Sequence, residues 1–599
     1  MRQSSRGGSS RQTIGTSLKR VLAAAATASG VLAVGSAASA VPNYNPPRTV
    51  QAPTDSRQPD GRWAERSASA NYDCNNDGVT DVFVAQPFFD TSIAAPDVGR
   101  VHLMSGKSLA DGTNVRLATF DSPEPQVKAA FGFFISVLDN NPGSTADVPN
   151  IAIGTDAQDV GGYTDQGKAW VFPGCGGSAL FALDNPYPQG AAGNSARFGS
   201  RIGRAGDING DGVTDIIVGA SGNDVPAQTA TNGITGCGQL TMAPTGCRKD
   251  QGQAFIFNGV NGALLRQMDY PVEDQVPAGT CNTLCGSFGI AVQGPGDSGA
   301  VPVGGADLNG LPKQAGLPDG FVDHLVDATG FGGGIGRMYL FDGSSTVPTC
   351  QTTPLNAPAS FTGCEKLIRK INDPIPHPAA FFGFQDVTPL SPGDVGSVDI
   401  PVTGPDPDPV GVPSSTPDGY ADIYGQGFLQ EGATGPAEGK AWVFDGRTGQ
   451  VLYQIDDVTP SPGGQFGWSM DKTTYKPTLN GPEVNALLIG ASPHFIPGNQ
   501  NGGLTVRNAS NGLLLEELPI PVQCTQLVPT TTGPNLGWTV SAPGDLDGDG
   551  LPDYIGGSPF MNVATQAGVK QPDAGLLFVF NSKADGPTPP CPPGGPLDE

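Results

Sequence analysis

Three nine-residue segments of the chain, residues 73–81, 207–215 and 545–553, carry oxygen-bearing side chains at positions 1, 3, 5 and 9 and glycine at position 6. This is the ligand spacing of a loop wrapped around a hard divalent cation, in which position 7 contributes its backbone carbonyl. The glycine permits a sharp turn that a Cβ atom would hinder. The predicted ligands are Asp73, Asn75, Asp77, Val79 and Asp81 in the first segment, Asp207, Asn209, Asp211, Val213 and Asp215 in the second, and Asp545, Asp547, Asp549, Leu551 and Asp553 in the third.

Two other interpretations of these segments are possible. They could be Asx-type turns without metal, but several carboxylates held close together repel one another unless a cation is present. They could also belong to EF-hands or dockerins. Those loops lead into helices and carry glutamate at position 12, whereas the first segment leads into the apolar stretch Val82-Phe-Val84. The cation loop joined to strands is therefore the favoured interpretation.

The elements that must position these loops recur along the chain. A short apolar alternation ending at a turn signal predicts a strand entering a hairpin. It occurs at residues 100–106, 168–174, 253–259, 337–343, 440–446, 503–509 and 575–581. A second element, an aromatic or apolar residue followed by glycine, begins at Phe131, Phe198, Phe288, Phe382, Phe466 and Leu536, with an eroded seventh copy expected near Trp63.

The repeat unit has a variable length. Unit starts can be set at Asp73, Asp139, Asp207, Asp307, Asp394, Asp471 and Asp545. Each interval has room for about four short strands, and such a sheet cannot bury both faces without neighbours. Radial packing of seven four-stranded sheets would bury those faces and leave only short edges.

The combination of Phe198-Gly199, residues 206–220 and residues 253–259 resembles the FG-GAP repeat of integrin α subunits and many secreted bacterial proteins. The resemblance covers residues 61–582. It implies an all-β, seven-bladed β-propeller with four-stranded antiparallel blades. It also implies that the Asp-rich loops bind calcium within a hairpin between two strands of a blade.

Two further units match that pattern with insertions, and the resemblance extends calcium binding to them, for three to five sites in all. The predicted ligands are Asp307, Asn309, Asp319, Phe321 and Asp323 in the fourth unit, and Asp394, Asp418, Tyr420 and Asp422 in the fifth. The second and sixth units are expected to lack metal, because Asn150 and Asn485 stand where the position-9 carboxylate should be.

The termini and the composition suggest an exported protein. A basic stretch, an apolar run and Ala38-Ser-Ala40 predict a secretory signal over residues 1–40, with a membrane anchor as the alternative. Residues 41–60 are expected to be a linker and residues 583–599 a Pro/Gly-rich tail, and no later segment is apolar enough to span a membrane. With 57 acidic against 32 basic residues, nucleic acid is an unfavoured partner.

Ten cysteines in an exported chain suggest disulfides. Three local pairs are expected: Cys237 with Cys247, Cys281 with Cys285, and Cys350 with Cys364. The pairing of Cys74, Cys175, Cys524 and Cys591 cannot be read from the sequence. Zinc is the alternative, but histidine is scarce and no CxxC pair is present.

No catalytic motif emerges from the sequence. The four histidines form no metal-ligand spacing, and Gly296-Asp-Ser-Gly299 is a four-residue echo of the trypsin-like nucleophile segment without its partner. The favoured function is a secreted, calcium-binding adhesion or recognition module for a protein or glycan, with insertions 300–320 and 395–417 as candidate recognition loops. The alternatives are an extracellular polysaccharide-acting enzyme and a structural envelope or matrix protein.

Overall fold

The computed structural model is almost entirely β-sheet where it describes the chain. The described residues are 44, 47–140, 148–188, 195–226, 247–248, 250–275, 286–293, 323–347, 350, 358–384, 388–390, 402–403, 414–416, 422–432, 435–445, 449–492, 502–519, 535–564 and 570–581. The predicted signal and tail lie outside them. Among the described residues, one short helix, α1 (Gly106–Asp111), and three 3-10 turns (Thr54–Ser56, Val272–Asp274 and Phe331–Gly333) interrupt the strands.

The chain begins its sheet structure with β1 (Arg48–Val50) and then builds two four-stranded antiparallel groups, in which strands follow sequence order. The first group contains β2 (Arg66–Ser69), β3 (Val82–Gln86), β4 (Arg100–Met104) and β5 (Arg116–Asp121). The second contains β6 (Phe134–Asn140), β7 (Pro149–Thr155), β8 (Lys168–Pro173) and β9 (Phe181–Leu183).

The third and fourth groups share one eight-stranded sheet. The third contains β10 (Phe198–Gly206), β11 (Asp215–Ala220), β14 (Gln253–Phe257) and β15 (Leu264–Asp269), with a two-stranded ribbon, β12 (Val225–Pro226) and β13 (Cys247–Arg248), inserted in it. The fourth contains β16 (Phe288–Gln293), β17 (His324–Ala328), β18 (Arg337–Val347) and β19 (Gly363–Asn372). Parallel pairing of β15 with β19 joins the two groups at their outer edges.

The remaining strands form groups of the same pattern. The fifth group contains β20 (Thr388–Leu390), β23 (Asp422–Gly427), β24 (Lys440–Phe444) and β25 (Val451–Ile455), with the ribbon β21 (Val402–Thr403) and β22 (Ser414–Thr416) inserted. The sixth contains β26 (Phe466–Tyr475), β27 (Val484–Ala491), β28 (Gly503–Asn508) and β29 (Leu514–Pro519). The last contains β30 (Thr539–Gly544), β31 (Asp553–Ser558) and β34 (Leu576–Phe580), with the ribbon β32 (Val563–Ala564) and β33 (Lys570–Gln571).

The last group obtains its fourth strand from the other end of the chain. β1 pairs antiparallel with β34, with Thr49 opposite Phe578. The segment that the sequence suggested as a linker therefore contributes a strand to a sheet. The first and last groups also touch directly, because the amide of Ser67 on β2 donates to Oγ1 of Thr539 on β30 at 3.2 Å.

Hydrophobic cores lie between consecutive groups. The first and second groups share Phe83 and Trp170, and the last and first share Val84 and Leu577, all buried. Several pairs of aromatic rings in these layers pack edge-on, which adds about 0.5–1.5 kcal/mol per pair beyond the area that they bury. For example, Phe288 meets Tyr339 with ring centroids 5.7 Å apart.

The predicted Phe-Gly element joins one group to the next. The amide of Phe288, at the start of the fourth group, donates to the carbonyl of Gln251 in the third at 2.9 Å. A Cβ on the neighbouring Gly252 would lie 2.0 Å from the Phe288 carbonyl oxygen, so this contact requires glycine. Trp63 makes the same contact, donating to the carbonyl of Ala574 at 2.9 Å, which identifies it as the eroded seventh copy.

The strand predictions are confirmed, with one difference in the connections. The seven predicted strands coincide with β4, β8, β14, β18, β24, β28 and β34, each the third strand of its group. The turn after β4 contains α1, which begins where the Ser105 side chain accepts the amide of Ser108. This capping bond stabilises a short helix that the strand pattern did not predict.

Candidate functional site

The three intact Asp-rich segments occupy the same place in their groups. Residues 73–81, 207–215 and 545–553 connect the first and second strands of the first, third and last groups, respectively. In the third group, Gly206 on β10 lies opposite Asp215 on β11, so the segment closes an antiparallel hairpin. The sequence-based placement of these loops within hairpins is therefore confirmed.

Each loop is shaped by hydrogen bonds from its own backbone to its side chains. In the third group, Asp207 accepts the amides of Gly210 at 2.8 Å and Gly212 at 2.7 Å through its two carboxylate oxygens. Gly212, at position 6, has φ of +85°, which explains the glycine there. Asn209 accepts the amide of Asp211 at 2.8 Å, and Asp211 accepts that of Val213 at 3.0 Å. These are Asx-turn bonds, which both the metal-free turn and the cation loop contain.

The aspartate at position 9 anchors each loop to the sheet. Asp215 is fully buried and accepts the amide of Ile208 on one oxygen and that of Gly259 on the other, both at 3.0 Å. Asp81 accepts the amides of Cys74 at 2.7 Å and Gly106 at 3.2 Å. One carboxylate therefore fastens the start of the loop, and in these two loops also the end of the third strand.

Burial makes the ionised form of these aspartates costly. It raises the pKa of Asp81 to about 6, of Asp215 to about 7 and of Asp553 to about 8. The negative charges of the other loop aspartates raise each pKa further, while backbone amide donors lower it. A positive charge in the loop would reverse this effect by favouring the carboxylate form.

The donor set fits calcium best in the last group. Carboxylate oxygens of Asp545, Asp547 and Asp553 all lie within 4.8 Å of one another. Calcium takes six to eight oxygen ligands from carboxylates, amide and backbone carbonyls and water. The remaining ligands would be Asp549 and the Leu551 carbonyl, and bound calcium would supply the positive charge that these carboxylates otherwise lack.

The sequence interpretation missed a contact from the end of the third strand. Ser105 donates from Oγ to Oδ2 of Asp77 at 3.0 Å, and Asn258 donates from Nδ2 to Oδ2 of Asp211 at 2.6 Å. Both hold the position-5 carboxylate from outside the loop. The sequence signal for this contact is the polar residue followed by glycine that ends several of the predicted strands, a pair that also indicates a turn.

The interrupted loops of the fourth and fifth groups are described only in part. Asp323 is fully buried and accepts the amide of Gly343 at 3.1 Å, which is the contact that Asp215 makes with Gly259. Asp422 begins β23 at the corresponding place. The other predicted ligands lie outside the described residues: Asp307, Asn309, Asp319, Phe321, Asp394, Asp418 and Tyr420.

The sixth group has a regular hairpin in place of the loop. Asp471, taken from the sequence as a unit start, lies within β26 and accepts the amide of Ala542 at 2.9 Å. The strand register pairs Ala486, not Asn485, with Asn508, so the position-9 assignment in this unit was wrong by one residue. In the second group, Asn150 does lie at the corresponding register position, opposite Pro173.

Two disulfides are present among the described residues. Cys350–Cys364 is one of the expected local pairs. Cys74–Cys175 was not readable from the sequence and spans 101 residues. Cys74 is position 2 of the first Asp-rich loop, so this bond ties that loop to the turn after β8 in the neighbouring group. The other cysteine side chains lie outside the described part of the structure.

Two of the described histidines, His102 and His324, are buried in the sheet groups. His102 is buried on β4 against Trp63, and burial lowers its pKa to about 3. His324 is also buried, with Nδ1 2.7 Å from Oε2 of Glu365 and Nε2 3.0 Å from the carbonyl oxygen of Ala205. Since Arg266 donates to the other Glu365 oxygen at 3.0 Å, this polar network joins the third and fourth groups.

Comparisons with known proteins identify one repeat. A family model described as FG-GAP repeat matches residues 198–235, a stretch that includes the loop at 207–215. A search of curated proteins gives no match. Among solved structures, the chain is similar to one titled "Crystal structure of BBS1N in complex with ARL6DN, soaked with lead", with 8% sequence identity and a TM-score of 0.39. That alignment covers 91% of this chain and 99% of the other.

None of the helices in the described part of the chain combines the length and hydropathy needed to cross a bilayer.

Proposed function

We propose that the chain forms a secreted seven-bladed β-propeller of FG-GAP repeats that binds calcium and serves as an adhesion or recognition module for a protein or glycan. The observation that carries the proposal is the recurrence of one Asp-rich loop in the same hairpin of the first, third and last groups. The FG-GAP match at 198–235 includes one of these loops. The shared core of the first and last groups supports a closed ring.

Calcium has a structural role in this proposal. In the last group it would be held by Asp545, Asp547, Asp549 and Asp553 with the Leu551 carbonyl, and equivalent residues would hold it in the first and third groups. The ion would neutralise carboxylates that burial and mutual repulsion destabilise. It would therefore stabilise the hairpins at the rim of the ring by binding the folded state alone.

Disulfide bonds support an extracellular location. Disulfides persist in oxidising compartments, and two occur among the described residues. The sequence pattern of residues 1–40 is that of a secretory signal. Outside the cell, calcium is abundant enough to occupy even weak oxygen-ligand sites.

Partner recognition is assigned to the insertion of the fifth group. Residues 395–417 include the ribbon of β21 and β22, in which Val402 pairs with Thr416. A ribbon of this kind is a short, defined element that can present side chains beyond the sheet. The other candidate insertion, residues 300–320, lies outside the described residues.

The test is partner capture by the mature protein, first with calcium and then after calcium removal by EGTA. Extracellular protein fractions and a glycan array are the two sources of partners. We expect specific binding that is lost in EGTA and weakened when residues 401–415 are replaced by a Gly/Ser linker. A variant with a Gly/Ser replacement of the short turn around Ile93, whose side chain is fully exposed, controls for loop disruption.

Two results would count against this function. Binding that survives both calcium removal and the 401–415 replacement would contradict the assigned surface. Release of new reducing ends from array glycans would instead favour the alternative of a polysaccharide-acting enzyme.

A further inference from the structure

A cavity of about 470 Å³ lies where first strands of different groups face one another. Its lining includes residues from β2, β6, β10, β16, β26 and β30. The volume is within the range of small-ligand pockets, about 300–1,000 Å³. Among the described residues, none of the predicted calcium ligands lines it, although Thr80 and Pro552, at position 8 of two Asp-rich loops, do.

The net charge of the cavity lining is opposite in sign to that of the whole chain. Its described lining contains four basic side chains, Arg66, Arg201, Arg204 and Lys472, and one acidic side chain, Asp471. The chain as a whole has 57 acidic and 32 basic residues. Both carboxylate oxygens of Asp471 accept backbone amides, from Lys472 at 2.8 Å and Ala542 at 2.9 Å. An anion that enters the cavity therefore meets predominantly positive side chains.

The four basic side chains lie at two different positions along the first strands of their groups. Arg66 and Arg201 each lie three residues after the aromatic residue that starts their unit, Trp63 and Phe198. Arg204 and Lys472 each lie six residues after theirs. Since these starting residues make equivalent contacts between groups, equal offsets place the first pair at one depth and the second pair deeper along the strands.

The first pair, Arg66 and Arg201, packs against an aromatic ring. Phe134, at the same offset in the second group, lies between the two arginines. The guanidinium carbons of Arg66 and Arg201 are 5.6 Å and 5.1 Å from the centroid of its ring. Arg201 is 95% buried and also donates from Nη1 to the Ser200 carbonyl at 2.8 Å. Packing of this kind preorganises the planar guanidinium group for an anion.

We propose that this cavity binds a small organic carboxylate. Guanidinium groups match carboxylates with two parallel hydrogen bonds, and partial exclusion of water strengthens such bonds. Between the basic groups, the wall combines apolar side chains, such as Phe134 and Val292, with hydroxyl groups, such as those of Ser136 and Thr473. This combination favours an anion with a carbon skeleton over a bare inorganic ion.

The test uses the mature, calcium-loaded protein and isothermal titration calorimetry at fixed ionic strength. The probes are succinate, D-glucuronate and inorganic sulfate, with glucose as the neutral control. We expect saturable binding of at least one carboxylate with one site per chain, and no binding of glucose. Succinate and glucuronate distinguish a free organic acid from an acidic sugar.

Variants locate the binding site. Arg66→Gln and Lys472→Gln should each weaken carboxylate binding by about tenfold or more, the usual effect of losing a charge-assisted hydrogen bond. Lys107→Gln, which removes an exposed lysine outside the cavity, should leave the affinity unchanged. If Arg66→Gln fails to fold, Arg204→Gln is a further variant, at a basic residue farther along its strand.

Three outcomes would overturn the proposal. They are no saturable binding of either carboxylate, equal affinities in the cavity variants and Lys107→Gln, and binding of sulfate alone. A loss of affinity in the cavity variants counts only where the melting temperature of the calcium-loaded protein is unchanged.

Discussion

Substitution of Asp553 by Asn should have opposite effects on stability with and without calcium. Without an ion, burial raises the pKa of Asp553 from an ordinary value of 3.8 to about 8. The folded state then binds a proton that the unfolded state releases, so stability falls as the pH rises from about 4 to about 8. In the metal-free protein, asparagine removes this cost. In the calcium-bound protein, the same substitution removes a calcium ligand and should lower the stability.

The size of the effect follows from the pKa difference. At pH 7.5, a carboxyl group with an unfolded pKa of 3.8 costs the metal-free folded state up to about 5 kcal/mol, at about 1.4 kcal/mol per pH unit. Asparagine retains one acceptor oxygen for the Leu546 amide, which donates at 2.8 Å, but loses the other. With about 1–3 kcal/mol deducted for imperfect hydrogen bonding, the net stabilisation is about 2–4 kcal/mol.

The assay is calorimetric unfolding of wild-type and variant protein at pH 5 and 7.5, each exhaustively demetallated or supplied with calcium. Without metal, Asp553→Asn should raise the melting temperature at pH 7.5 and much less at pH 5. With calcium at pH 7.5, it should lower the melting temperature. Asp60→Asn, at an exposed aspartate, is the matched control and should change neither. A change of the same sign with and without calcium would refute the reasoning.

Three other predictions concern stability. Asp327 is fully buried and has no hydrogen-bond partner among the described residues, and burial raises its pKa well above the ordinary value. Asp327→Ala should therefore raise the melting temperature at pH 8 and have little effect at pH 4, and a decrease at pH 8 would contradict this. Removing the Cys74–Cys175 bond with the double serine variant should cost about 2–5 kcal/mol in denaturant unfolding, and an unchanged midpoint would argue against the bond. Gly259→Ala should lower the melting temperature, because its Cβ would lie 2.0 Å from the Thr214 carbonyl oxygen, and wild-type stability would show that the hairpin can shift.

The sequence predicted the elements that repeat. Alternation of apolar residues located the third strand of every group, and the spacing of Asp207, Asn209 and Asp211 located a hairpin loop. Both signals are local patterns. Because the chain contains several copies of each pattern, the copies can be compared with one another. The eroded seventh Phe-Gly copy was expected near Trp63 from the same repeat, and the contact of Trp63 with Ala574 confirms that place.

Features that depend on distant pairing were not predictable from local patterns. β1 has only three residues, and its partner β34 is more than 500 residues away. The Cys74–Cys175 bond and the contact of Asn258 with Asp211 likewise join segments that are far apart in the sequence. The register of the sixth group was misassigned because a regular hairpin there replaces the loop that defines position 9.

The central claim is that the Asp-rich loops of a closed propeller bind calcium. Anomalous diffraction from crystals of the mature protein grown with calcium tests it most directly. We predict seven sheets around one axis, with calcium peaks within ligand distance of Asp73, Asp207 and Asp545, about 2.3–2.6 Å from their oxygens. Ordered loops without anomalous peaks at saturating calcium, or sheets that do not close into a ring, would contradict the account.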